Sequence, residues 1–322
     1  MRSRLAVTPR QYRLVAYFTL ASLTLIVFSG AAVRLTDSGL GCSNWPKCGG
    51  TPLPPLATHA LIEFGNRVVG LIVGVITIAA FVLSLTRRPR RRDLVRLSVL
   101  LPLGVLAQAV LGGITVLEKL APGFVIAHFG LSLLILIAAF ALAWRSRHEP
   151  EARPRNADRV SVWSVRALAP LAALTIVAGS FSSAAGPHGG GFTGQHVSRL
   201  SFKGADTLTW MVHQHATIAV IFGLAVIGVW FLRRRRGASS GELEPLTILG
   251  VLLAGQGLVG SVQYELALPA EMVWVHVCLA TITWLVVLWA WADIGSPVPR
   301  RVRVPAAGPA DERPAARTLE TA

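Results

Sequence analysis

The chain has 322 residues, 53% hydrophobic and 15% charged, with a formal net charge of +15 and a mean hydropathy of +0.57. That is too apolar for a water-soluble domain, and eight runs come near the roughly 20 mostly apolar residues that a membrane span needs. A soluble domain this basic would point to nucleic acid, but every basic run here abuts an apolar one. Nucleic acid is therefore excluded, and the charge reads as membrane topology plus attraction to anionic lipid.

Arg2, Arg4, Arg10 and Arg13 precede the first run, residues 14–33. That run is longer than a signal-peptide core and lacks a clear small-residue cleavage site, so it reads as a retained span. A loop follows, RLTDSGLGCSNWPKCGG, with Cys42 and Cys48. The second run is 60–85, and an arginine-rich turn (Arg87 to Arg96) leads to runs 97–117 and 124–144. Residues 146–158 form a polar linker rich in Arg and Pro. Runs 167–185 and 208–232 come next, then Arg233 to Arg236, then runs 246–262 and 272–294 and a tail rich in Pro, Ala and Arg. Basic residues mark the cytoplasmic side, which predicts that both termini are cytoplasmic. Cys42 and Cys48 then lie outside, where disulfides persist. A zinc clip needs four ligands, and this loop has no His and no second Cys pair, so a disulfide is favoured. Cys278, in the last run, reads as a small core residue.

The chain repeats itself. Residues 108–128, QAVLGGITVLEKLAPGFVIAH, align without a gap on 256–276, QGLVGSVQYELALPAEMVWVH, at an offset of 148 (256 − 108). Residues 66–74, NRVVGLIVG, match 215–223, HATIAVIFG, at an offset of 149 (215 − 66), and Gly30 matches Gly179 at the same offset. A duplicated unit with an even number of spans gives a parallel repeat. The predicted fold is an all-α membrane protein with eight transmembrane helices, arranged as two tandem four-helix bundles about a pseudo-two-fold axis along the membrane normal. Its predicted units are 1–150, 151–296 and a disordered cytoplasmic tail, 297–322.

Ionisable groups within spans are costly and usually functional. Four positions correspond between the halves: Asn66 and His128 in the first, His215 and His276 in the second, all near the outer ends of their spans. Two imidazoles on neighbouring helices at matched depth suit axial haem ligation; hydrogen bonding between helices is the plainer alternative. His213, two residues from His215, cannot share its helix face. With Asn66 opposite His128, the first half offers one histidine and an open face, which suits substrate or oxygen chemistry. The second half suits electron transfer. Glu63, one turn before Asn66, is either an interface carboxylate or a proton donor lining the pocket. Arg67 and Arg34 either pair with haem propionates or snorkel to headgroups. His59 lies two turns before Asn66, as a contact to a bound group or a loop residue. His188 and His196 carry no assignment.

The stretches VRLTDSGLGCSNWPKC and IEFGNR, the outer-end histidines and the tandem repeat resemble haem A synthase, of the bacterial type with a cysteine pair in the first outer loop. The likeness covers nearly all of residues 10–295, and GPHGG at 186–190 resembles the family's second-half counterpart of that loop. The resemblance implies an oxidoreductase that converts haem O to haem A for cytochrome c oxidase. It oxidises the C8 methyl to a formyl group through successive hydroxylations to a gem-diol that loses water. It implies haem b at His215 and His276, substrate haem at Asn66 and His128 with Arg67 and Arg34 nearby, Glu63 as the catalytic carboxylate, and a Cys42–Cys48 disulfide. Many members carry His where this chain has Asn66, so His128 alone holds the substrate iron, or Glu63 or water fills the sixth position. The implied partners are haem O delivered by haem O synthase, an electron donor of unnamed identity and the lipid bilayer, with homo-oligomerisation left open. The rival reading is a haem b-binding membrane electron carrier or sensor without synthase activity. A transporter fits less well, because the polar residues cluster at the outer ends and no span is broken at mid-depth by Gly-Pro.

Overall fold

A computed structural model describes residues 6–42, 44–48 and 50–298. Nine helices are formed among them: α1 Pro9–Leu35, α2 Thr58–Thr86, α3 Arg92–Leu117, α4 Pro122–Arg147, α5 Arg159–Arg166, α6 Leu168–Ala185, α7 Thr207–Arg235, α8 Ser240–Glu265 and α9 Ala270–Asp293. With α5 and α6 counted as one span, eight are long and apolar enough to cross a membrane. The protein is a multi-pass membrane protein. Polar side-chain caps start three of the helices, α1, α5 and α8. Thr8 and Gln11 form a capping box with Pro9 in the first turn, and Ser239 and Glu242 form another. Asp158 caps α5 by accepting from the backbone of Val160 and Ser161.

The helices form two rings of four. In the first, α1 packs on α2, α2 on α3, α3 on α4 and α4 back on α1; in the second, α6, α7, α8 and α9 close in the same order. Thus α2 and α4 oppose each other across one ring, and α7 and α9 across the other. The rings meet where α1 packs on α9 and α4 on α6 and α9. Three indoles bond across this seam: Trp274 to the Phe28 carbonyl at 2.9 Å, Trp284 to the Leu133 carbonyl at 3.3 Å and Trp144 to Asp293 at 2.8 Å. One apolar core runs through both rings, from Tyr12 and Leu101 to Leu142, Leu168, Phe222 and Leu249. The outer faces carry exposed Leu71, Leu103, Leu134, Leu224 and Leu258, as spans facing lipid do.

Two local features lie outside the apolar runs. α5 precedes the fifth run and passes into α6 at Ala167. In the linker, β1 (Arg155–Asn156) pairs in parallel with β2 (Ser296–Pro297), a small ladder in an otherwise helical chain. Pro297 and Val298 are therefore tied to the linker, and the rest of the expected disordered tail lies outside the described residues. Arg87 and Arg91 anchor the linker through Glu149 at 2.8 and 3.2 Å, and Arg153 pairs with Asp93.

Candidate functional site

In the second ring, His215 on α7 and His276 on α9 face each other with ring centroids 6.1 Å apart. His215 Nδ1 lies 3.0 Å from the Thr175 carbonyl on α6. A carbonyl only accepts, so Nδ1 carries the proton and Nε2 keeps the lone pair, as a metal ligand requires. One turn on from Thr175 is Gly179, where a Cβ would stand 3.0 Å from His215 Cε1, so the ring sits where a side chain would crowd it. His276 rests in the same way on Gly260 of α8, at 3.2 Å. Gln256 donates to the His276 carbonyl at 3.2 Å.

The first ring repeats this arrangement at one corner and departs from it at the other. His128 on α4 rests on Gly112 of α3, with a would-be Cβ at 3.1 Å, and Gln108 donates to the His128 carbonyl at 3.0 Å. At the opposite corner stands Asn66 on α2, whose Oδ1 accepts from Ser29 Oγ at 2.7 Å. Gly30, beside Ser29, has nothing within 4 Å of its Cβ position. Three imidazoles thus occupy three glycine notches, and the fourth notch is open because Asn66 is too short to fill it.

The donor set fits a group gripped from two sides better than a chelated ion. Among the described residues, no three His, Cys, Asp or Glu side chains converge on a metal-sized point. A metal bonded in line to one nitrogen of each ring at about 2.0 Å holds the ring centres roughly 6 Å apart, matching the 6.1 Å between His215 and His276. The Nδ1 atoms of His128 and His276 and the Oε1 atoms of Gln108 and Gln256 are buried without a hydrogen-bond partner among the described residues. Such orphaned polar atoms beside a ligating ring are where its supporting hydrogen bonds form.

The loop between α1 and α2 closes over this end of the first ring. Cys42 and Cys48 form a disulfide. Glu63, 5% exposed, accepts from the Cys42 backbone N–H at 2.7 Å and pairs with Arg67 at 2.5 Å. Arg67 in turn donates to the Pro46 and Lys47 carbonyls at 3.3 and 3.2 Å. Gly41 lies so close to α2 that a Cβ would fall 2.2 Å from the His59 carbonyl oxygen, so this approach requires glycine. The Trp45 indole lies against Gly113, next to the notch that seats His128.

The other expected positions join the loops to one another. Arg34 donates to the Ser183 and His188 carbonyls at 3.0 and 3.1 Å. His59 bonds Ser38 Oγ at 3.0 Å and stacks on Phe192 at 5.0 Å, so it is a joint between outer loops. His188 donates to the Leu268 carbonyl at 2.7 Å. His213 and His196 are exposed. Sequence reasoning paired Gly30 with Gly179 only as a repeat match, and missed Gly112, Gly260, Thr175 and Ser29. The signal was in the repeat, where QAVLGG and QGLVGS share a glycine four residues after the glutamine.

A family model described as cytochrome oxidase assembly protein matches residues 13–186. The chain is 35% identical over 139 residues to the heme A synthase of Lysinibacillus sphaericus (strain C3-41), covering 41% of this chain and 44% of that relative. It is 40% identical over 124 residues to the heme A synthase of Symbiobacterium thermophilum, covering 38% and 40%. To that of Geobacillus kaustophilus it is 33% identical over 130 residues, covering 39% and 41%. The chain thus spans less than half the length of each of these curated relatives. The matched region holds the whole first ring, its disulfide loop and the α6 wall of the second ring, and on that match the chain belongs to the cytochrome oxidase assembly protein family.

Proposed function

We propose that this protein is a haem A synthase, oxidising the C8 methyl of haem O to a formyl group and so making haem A for cytochrome c oxidase. The observation that carries the reading is the set of glycine-seated imidazoles: a facing pair in one ring and a single ring, with an open notch opposite, in the other. The two rings are read as tandem units, 1–150 and 151–296, about a pseudo-two-fold axis, with both termini cytoplasmic.

In this reading His215 and His276 hold a haem b, which when bound supplies single electrons from a donor of unnamed identity. Thr175 fixes the His215 tautomer, and Gly179 and Gly260 set the two rings at their working separation. His128 binds the iron of the substrate haem O, delivered by haem O synthase, and Asn66 stands on the opposite side. Glu63 is the catalytic carboxylate: its contact with Arg67 and the Cys42 N–H places it between the pocket and the loop, where a carboxylate relays protons and keeps bulk water out. Arg67 and Arg34 bring positive charge to the outer rim, toward which propionates turn.

The test is pyridine haemochrome analysis of the purified protein together with complementation of a strain lacking haem A. The expected result is bound haem b and restored haem A, with both lost in His276→Ala. Absence of haem from the purified protein, or haem A production undiminished in His276→Ala, overturns the reading.

A further inference from the structure

We infer that Asn66 and Ser29 form a polar clamp for a small diatomic ligand on the open face of the first-half haem, in place of a second axial imidazole. The inference rests on the proposed binding of substrate haem by His128. Its basis is the comparison of the four corners. At three, a helix glycine admits an imidazole whose Cε1 would stand 3.0–3.2 Å from a Cβ. At the fourth, the helix and its glycine are retained but, its own helix backbone and chain neighbours aside, no atom of the described residues lies within 4 Å of the Gly30 Cβ position.

The polar group at that corner is held to one side. Asn66 Oδ1 accepts from Ser29 Oγ at 2.7 Å, and the Ser29 hydroxyl also lies 3.2 Å from the Ile26 carbonyl one turn back on α1. With its oxygen engaged by α1, the Asn66 carboxamide has its NH2 left to donate. An amide nitrogen is a poor iron ligand but a good hydrogen-bond donor. This corner therefore recognises the outer atom of a two-atom ligand on iron. Glu63 is held toward the loop, with Arg67 on one oxygen and the Cys42 N–H on the other.

The test uses the full-length protein, loaded with haem, reduced with dithionite without air and titrated with carbon monoxide. The expected stoichiometry is one carbon monoxide per two haems, since the facing pair His215 and His276 closes both sides of its iron. Asn66→His places an imidazole in the Gly30 notch, abolishes carbon monoxide binding and gives two six-coordinate low-spin haems. Asn66→Ala keeps the stoichiometry but raises the C–O stretching frequency and speeds carbon monoxide release about five-fold, the factor for one neutral hydrogen bond. Ser29→Ala shifts both readouts in the same direction. A first-half haem that loads, is lost in His128→Ala and yet refuses carbon monoxide overturns this inference alone. An unchanged stretching frequency in Asn66→Ala also overturns it. A first haem whose loading does not depend on His128 overturns the binding reading beneath it.

Discussion

A single missing Cβ separates a ring that ligates from a ring that clashes. Gly179→Ala gains about 1 kcal/mol of helix propensity but drives a methyl to 3.0 Å from His215 Cε1, and overpacking of that kind costs roughly 1–3 kcal/mol. The balance is a net loss of up to about 2 kcal/mol; on the proposed reading the main effect is loss of haem b content and of its low-spin absorption spectrum, with a small fall in the thermal midpoint. On the proposed reading, Gly112→Ala does the same to a haem bound through His128. Gly30→Ala meets no neighbour and leaves the midpoint the same or slightly raised. Glu63→Gln removes the charge opposite Arg67, a loss of about 2 kcal/mol for a charge-assisted contact; faster reduction of the Cys42–Cys48 bond by a soluble thiol is the readout. The repeat makes the histidines legible in the sequence, because an ionisable side chain inside an apolar run is conspicuous twice. The four notch glycines also recur in the repeat, but their role is not legible from it, since glycine is common in membrane helices for several reasons. The Glu63–Cys42 contact is hidden for a different cause: it exists only once the loop folds back on α2.

Among the elements, the first outer loop depends most on a covalent tie. Its disulfide closes a ring across a sequence separation of 6, for which loop entropy alone gives about 2 kcal/mol. Replacing both cysteines by serine is expected to expose the segment from Cys42 to Thr51 to protease while leaving the helices formed. Far-ultraviolet circular dichroism and limited proteolysis separate the two effects. On the inner side, the Asp158 carboxyl is held below its ordinary range, first by the Ser161 hydroxyl and then by the Ser161 backbone and Arg236. A lowered folded value means the cap is at full strength above the unfolded carboxylate range and is lost as pH falls through the folded value. Detachment of α5 on acidification, and its absence in Asp158→Asn, is the expected signature. The apolar runs locate all eight spans because length and hydropathy suffice. They do not locate the break at Ala167 or the pairing of β1 with β2, which depend on backbone contacts between segments far apart in the chain.

In the whole molecule, the two rings are tied together more firmly at the outer surface than the polar loops suggest. Gly39 donates to the Gly190 carbonyl at 2.7 Å and Gln195 to the Leu40 carbonyl at 3.2 Å, with Arg34 reaching the end of α6 beside them. Arg34→Met removes two charge-assisted bonds, a loss of about 3 kcal/mol, and leaves the Ser183 carbonyl with only the Gly186 N–H. Lower thermal stability in detergent, with haem b loss preceding helix unfolding, is the expected outcome. The sequence shows two similar halves but not this joint, because arginines near span ends ordinarily serve lipid headgroups. The position of Arg34 also has a consequence for biosynthesis. Its acceptor at Ser183 lies 149 residues further along the chain, and a ribosome adding about 5–20 residues per second takes roughly 7–30 s to reach it. Until that acceptor is made, the contact from Arg34 to α6 has no partner, so this joint forms only after the start of the second half has been translated.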